Sequence, residues 1–142
     1  MILALFFWAA PALSQVEVDD PWVRPTPPRA KLAAGYLAIL NRAAQPDRLV
    51  GASSPAAARV EMHVHIKDGE ILRMRQVKEL RIPANGKFEL RPAGAHLMFV
   101  DIRRPLREGE KVAVTLDFER AGKLTVEFRV GQPSRPHGHQ MH

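Results

Sequence analysis

Residues 112–130 constrain this chain more than any other stretch. Val112, Val114, Leu116 and Phe118 alternate with Ala113, Thr115 and Asp117; Leu124, Val126, Phe128 and Val130 alternate with Thr125, Glu127 and Arg129. A two-residue repeat puts all the apolar side chains on one face only if the backbone is extended. Glu119-Arg120-Ala121-Gly122 between the runs reads as a hairpin loop, with Gly122 free to take a positive φ. Two paired strands of this kind cannot bury their apolar face alone. The chain has to wrap more sheet around it.

The rest of the sequence supplies that sheet. Further strands are expected near 16–19, 47–53, 59–66, 71–78, 87–91 and 95–103, separated by turn residues such as Lys67-Asp68-Gly69-Glu70 and Pro83-Ala84-Asn85-Gly86. Leu32 to Leu40 could form a helix, but Pro25, Pro27 and Pro28 before it and the run Gly35-Tyr36-Leu37-Ala38-Ile39 suit a strand better. Short strands at roughly ten-residue spacing mark an all-β sandwich or barrel. No internal repeat or interior linker interrupts them, and 142 residues make one domain.

The first segment, MILALFFWAAPALS, is apolar, uncharged and ends in small residues. It is too short to span a bilayer and fits the apolar part of a secretory signal, so residues 1–14 are expected to be a signal peptide, with cleavage after Ser14 or Ala12. The basic start of such a signal is missing, which leaves open whether the chain begins upstream of Met1. Export without cysteine means that no disulfide framework holds the fold.

The net charge is +6, from 21 Lys and Arg against 15 Asp and Glu. The basic residues are scattered, and once Phe6, Phe7 and Trp8 leave with the leader few aromatics remain to stack on bases, so no nucleic-acid partner is expected. A mildly basic surface suits an acidic partner or anionic headgroups. No stable membrane insertion is expected, and the protein should be a monomer.

His63, Met74, His96 and Met98 carry the chemistry. Ten residues lie between the first two, twenty-one between the next two, and one between the last two. Thioether sulfur is a soft neutral donor, and mixed with imidazole it favours copper, above all Cu(I). Zinc prefers thiolate, imidazole or carboxylate, and calcium needs oxygen. His96 and Met98, two apart on a strand, share a face. If the 59–66 and 71–78 strands turn at Asp68-Gly69, Met74 falls opposite His63. Nothing in the sequence brings the two pairs together. Each Met could instead be core filler and each His a surface residue, which leaves a secreted structural β-sandwich with incidental His and Met as the alternative.

Other functions fit less well. Blue-copper electron transfer needs a cysteine thiolate, and the chain has none. An enzyme needs an open metal position with an acid or base beside it. Glu61 could share the face of His63, but with four protein ligands it has no open position to serve and reads as a solvated surface residue. Asp101 should point to the face opposite Met98. Ser53, Ser54 and Ser134 lack His and Asp partners for serine chemistry. No catalytic residues are expected. His65 shares the face of His63 and reads as a supporting or surface histidine.

The spacing of the four residues resembles the metal motif of the periplasmic copper chaperones of the PCu(A)C type. Pro21-Trp22-Val23-Arg24, Ala33-Ala34-Gly35-Tyr36 with Asn41, Val60-Glu61-Met62-His63, Gly69 with Met74-Arg75, Ile82-Pro83-Ala84, and Gly94 before His96-Leu97-Met98 also resemble that family, from about Val16 to Gly131. The resemblance implies a cupredoxin-like Greek-key β-sandwich of roughly eight to ten strands over residues 15–132. It implies Cu(I) held by His63, Met74, His96 and Met98. It also implies a periplasmic copper chaperone that supplies an oxidase subunit or assembly protein of cytochrome c oxidase. Beyond Pro133, residues 133–142 hold His137, His139, Met141 and His142. Some family members carry such an extension. Here it is either a flexible auxiliary site preferring Cu(II) or a chance cluster at a chain end.

Overall fold

The computed structural model describes Leu5 and residues 15–134. Among these there is no helix, and ten strands make up the fold: β1 (Val16–Val23), β2 (Leu32–Asn41), β3 (Asp47–Ser53), β4 (Ala57–Asp68), β5 (Ile71–Val77), β6 (Leu80–Ile82), β7 (Gly86–Leu90), β8 (His96–Ile102), β9 (Lys111–Phe118) and β10 (Gly122–Val130). The all-β, cupredoxin-like expectation of eight to ten strands is borne out. The expected leader and the residues His137, His139, Met141 and His142 lie outside the described residues. Only the three-residue β6 had no signal in the sequence, being too short to show an alternation.

Seven strands run round a closed sheet in the order β4-β8-β2-β1-β10-β9-β3, and the pair Ala52↔Val60 of β3 and β4 completes the circuit. Strands β5, β6 and β7 are flanges on β4, β3 and β2. Closure removes most free sheet edge, which leaves β5 as one exposed margin. β9 and β10 pair throughout the alternating runs, from Gly122↔Phe118 to Arg129↔Lys111. Gly122 takes φ +80°, as the three-residue loop requires. The buried carboxylate of Asp47 accepts hydrogen bonds from the backbone N–H of Arg120 and Ala121 at 2.9 and 3.0 Å, fastening that loop to β3.

The interior is built from buried side chains of every strand but β5. Val23, Leu37, Leu49, Leu97, Phe99, Val114, Leu116, Phe118, Phe128 and Val130 are almost completely buried. Gly35 sits against this core: a Cβ placed on it would lie 2.8 Å from the Phe99 ring and 3.4 Å from Val23. The missing side chain therefore lets β2 lie close over Phe99, where any larger residue would overpack. The prediction is that Gly35→Ala lowers the unfolding free energy by about 1–3 kcal/mol, read as a reduced denaturant midpoint with an unchanged slope.

Candidate metal centre

Two sheet pairings place the candidate residues. In β4 and β8 the register is Val60↔Phe99, Glu61↔Met98, Met62↔Leu97 and His63↔His96. Val60, Met62, Leu97 and Phe99 point into the core, so Glu61, His63, His96 and Met98 occupy the opposite, outer face. The step the sequence left open is made here, because β8 lies beside β4 and sets His96 across from His63. The imidazole centroids are 5.5 Å apart.

The β4–β5 hairpin differs from expectation by one residue per strand. Asp68 pairs with Ile71, leaving Gly69-Glu70 as the two-residue loop; His65 therefore faces Met74, and His63 faces Gln76. The reason is local. Gly69 takes φ +63° and Asp68 stays in the strand. A turn centred on Asp68-Gly69 would put Asp68 at positive φ, whereas a glycine-first turn puts that strain on the residue without a Cβ. Met74 keeps the same face as His63 and His65 but stands two residue pairs beyond His63, opposite His65. It is 53% exposed, on the free margin of the sheet.

Burial falls across the site. His96 and Met98 are 3% and 9% exposed on a strand buried on both faces, whereas the His63 side chain is 15% exposed. Behind His96 the outer face continues as Tyr36 and Trp22, with His96–Tyr36 centroids 6.4 Å apart and Tyr36–Trp22 4.7 Å apart. Arg24 lies over the Tyr36 ring at 5.7 Å. Sequence reading had no means of seating these aromatics beside His96. Their signal in the sequence was the resemblance of Pro21-Trp22-Val23-Arg24 and Ala33-Ala34-Gly35-Tyr36 to the family pattern, which says nothing of their place beside His96.

Each imidazole has one nitrogen assigned by its neighbours. His63 Nε2 lies 2.8 Å from Glu61 Oε2, so an N–H there donates to the carboxylate and leaves Nδ1 with a free lone pair. His96 Nδ1 lies 3.2 Å from the carbonyl of Gly94; its N–H donates there and Nε2 is the free nitrogen. Glu61 is itself held by Arg59 Nε, which donates at 2.8 Å. Glu61 is thus not the solvated residue expected; its side chain is 18% exposed and fixed at both oxygens. The hydrogen bond from Arg59, then that from His63, lowers its pKa. A carboxylate that orients an imidazole is a common support for a metal ligand. The signal in the sequence was Glu-x-His on one strand face.

Asp101 also departs from expectation. A φ of 54° breaks the alternation of β8 there, and its exposed carboxylate stands 4.0 Å from Arg59. Among the described residues no three His, Cys, Asp or Glu groups are arranged to hold an ion together. Met74 and Met98 are the thioethers on this face. Among the described residues, the buried side-chain nitrogens or oxygens with no hydrogen-bond partner are Nδ1 of His63 and Nδ1 of His65.

The closed ten-stranded fold is one shared with solved PCuAC domains. Residues 16–130 match the family model described as "Putative lipoprotein LpqE-like", and the chain belongs to this LpqE-like family. It is 31% identical over 104 residues to "Putative lipoprotein Lxx21020" of Leifsonia xyli subsp. xyli, covering 72% of this chain and 61% of that protein. The chain thus spans about three-fifths of that relative's length. It also resembles the copper-bound PCuAC domain from PmoF2, with 27% identity, TM-score 0.73, and 86% and 97% of the two chains covered. The Cu(I) form of DR1885 from Deinococcus radiodurans is 33% identical, with TM-score 0.67 and 85% and 80% covered.

Two outcomes are expected of the metal-free protein. In nitrogen-resolved NMR, His63 should be a single Nε2–H tautomer, and Glu61→Ala should mix its tautomers while Glu61→Gln largely preserves it. Burial, ahead of every other influence, lowers the pKa of His96. The unfolded chain takes up that proton near ~6.5 and the folded chain only at lower pH. Stability from this group is therefore full above that value and declines as pH falls below it. His96→Gln should flatten the fall of urea midpoints between pH 7 and 5.

Proposed function

We infer that this chain is a copper carrier that binds one Cu(I) through His63, Met74, His96 and Met98 and releases it by ligand exchange to an acceptor protein. The observation that carries the reading is the pairing of His63 with His96 beside Met98 on one face of a fold shared with copper-bound domains. Two imidazole nitrogens and two thioethers are neutral, so the bound ion keeps its positive charge and its softness is matched. His63 Nδ1 and His96 Nε2 are the nitrogens that their hydrogen bonds leave free for it. The donor set lacks the thiolate that would grip Cu(I) tightly, and an acceptor with cysteine ligands can draw the ion away.

The cargo is carried and not transformed, which makes this a binding protein and not an enzyme. Residues 1–14 act as the export signal, 15–132 as the copper domain, and 133–142 as a tail in which His137, His139, Met141 and His142 add a weaker site preferring Cu(II). Export is supported by the lipoprotein naming of the family and of the Leifsonia relative, and the periplasm is the compartment that the resemblance of the motif implies. The acceptor is the copper centre of a respiratory cytochrome c oxidase, or a protein that assembles it. That choice of acceptor rests on the resemblance of the motif and on a basic chain that suits an acidic partner.

Anaerobic titration of residues 15–132 should show one Cu(I) per chain, with sulfur and nitrogen both visible by X-ray absorption. His96→Ala should weaken binding by at least about a hundredfold and the exposed Met74→Ala by about tenfold. Stoichiometric Cu(I) on a variant with all four residues changed to Ala would sink the reading. With the tail restored, an additional Cu(II) should bind with a steep pH dependence near ~6.5, where imidazoles lose their protons.

A further inference from the structure

His65 is the residue on this face that the four-ligand reading leaves without a task. Its ring centroid lies 5.4 Å from that of His96, which matches the 5.5 Å between His63 and His96. Two imidazoles on one tetrahedral ion, with nitrogen–metal bonds of ~2.0–2.1 Å, have centroids about 5.2 Å apart. His96 therefore stands at chelating distance from either histidine. The three rings do not form one chelating trio among the described residues, so the arrangement is two alternative pairs that share His96.

A second observation marks the same nitrogen. Nδ1 of His65, like Nδ1 of His63, is buried and has no hydrogen-bond partner. A buried lone pair left unmatched is destabilising, and two neighbouring ones on the same face share one explanation if both serve the same visitor. The direction of travel follows from placement. His63 is the last residue of β4 paired with β8, whereas His65 lies beyond that pairing and faces Met74 of β5. The outer row thus runs from buried His96 and Met98, past His63, to His65 opposite the 53% exposed Met74.

We propose that His65 is an exit ligand: Cu(I) moves outward by exchanging His63 for His65 while His96, Met74 and Met98 stay bound. The His63 Nδ1–copper bond breaks and a His65 Nδ1–copper bond forms. The copper remains Cu(I) and no electron moves; His63 offers the Nδ1 that its hydrogen bond to Glu61 leaves free, and in this proposal His65 takes the Nε2–H tautomer so that its unpartnered Nδ1 is the incoming donor. The outer position brings the ion to the edge where an incoming donor can reach it. This step rests on the copper reading above.

The test loads wild type, His65→Ala and His65→Met with one Cu(I) and follows transfer to bathocuproine disulfonate by stopped flow, with equilibrium affinity measured separately. His65→Ala should hold Cu(I) within about threefold of wild type but release it about tenfold more slowly. His65→Met, which restores a soft donor, should recover the rate. In the wild-type protein, addition of Cu(I) should shift the His65 ring nitrogens, a readout that needs no variant. Equal transfer rates for wild type and His65→Ala, or His65 nitrogens unmoved by Cu(I), would overturn the exit step alone. Failure of wild type to take up Cu(I) at all would overturn the copper reading with it.

Discussion

The register between β4 and β8 is the constraint on which the rest depends. One side of this pairing sets Val60 and Met62 against Leu97 and Phe99 and builds the core; the other sets Glu61 and His63 against Met98 and His96. A slip of β4 by one residue would exchange its faces, sending Glu61 and His63 inward and Val60 and Met62 out. Burying those apolar groups is what makes the slip unaffordable. Core packing thereby positions the candidate centre without any metal being needed to assemble it.

The same design leaves a local cost in place. Nearly every buried polar side chain among the described residues is matched, as Asp47 is by the backbone of the β9–β10 loop. The imidazoles of His63 and His65 each keep one buried nitrogen without a partner. Their other surroundings are well provided for: Glu61 fixes one ring and Arg59 fixes Glu61. Supporting the far nitrogen while leaving the near one empty is what a waiting ligand needs. A site satisfied internally would have to break hydrogen bonds before it could bind.

Burial and exposure divide the candidate donors into two kinds. His96 and Met98 belong to a strand covered on both sides and share its rigidity, whereas Met74 belongs to a margin whose residues are mostly exposed. A carrier needs both. Rigid donors hold the ion's place, and accessible donors let another protein take it. The open margin is also where sheet closure stopped, so the architecture and the access route have one origin.

Much of this was written in local pattern. The alternation of residues 112–130, the glycine at 122 and the spacing of His63, Met74, His96 and Met98 all act within a few residues, where steric and periodic rules are strong. Glu61 and His63 two apart, and His96 and Met98 two apart, could be put on common faces without any fold. The one-residue error in the β4–β5 hairpin shows the limit of that approach. Both turns were open to the string Lys67-Asp68-Gly69-Glu70, and only the backbone at Gly69 selects between them, which moves Met74 from His63 to His65. The sequence by itself determined every strand but β6, the loop glycines and the kinds of donor on offer. The tertiary structure alone decided that β8 lies beside β4, because that adjacency joins segments about thirty residues apart through shared burial and not through any local rule.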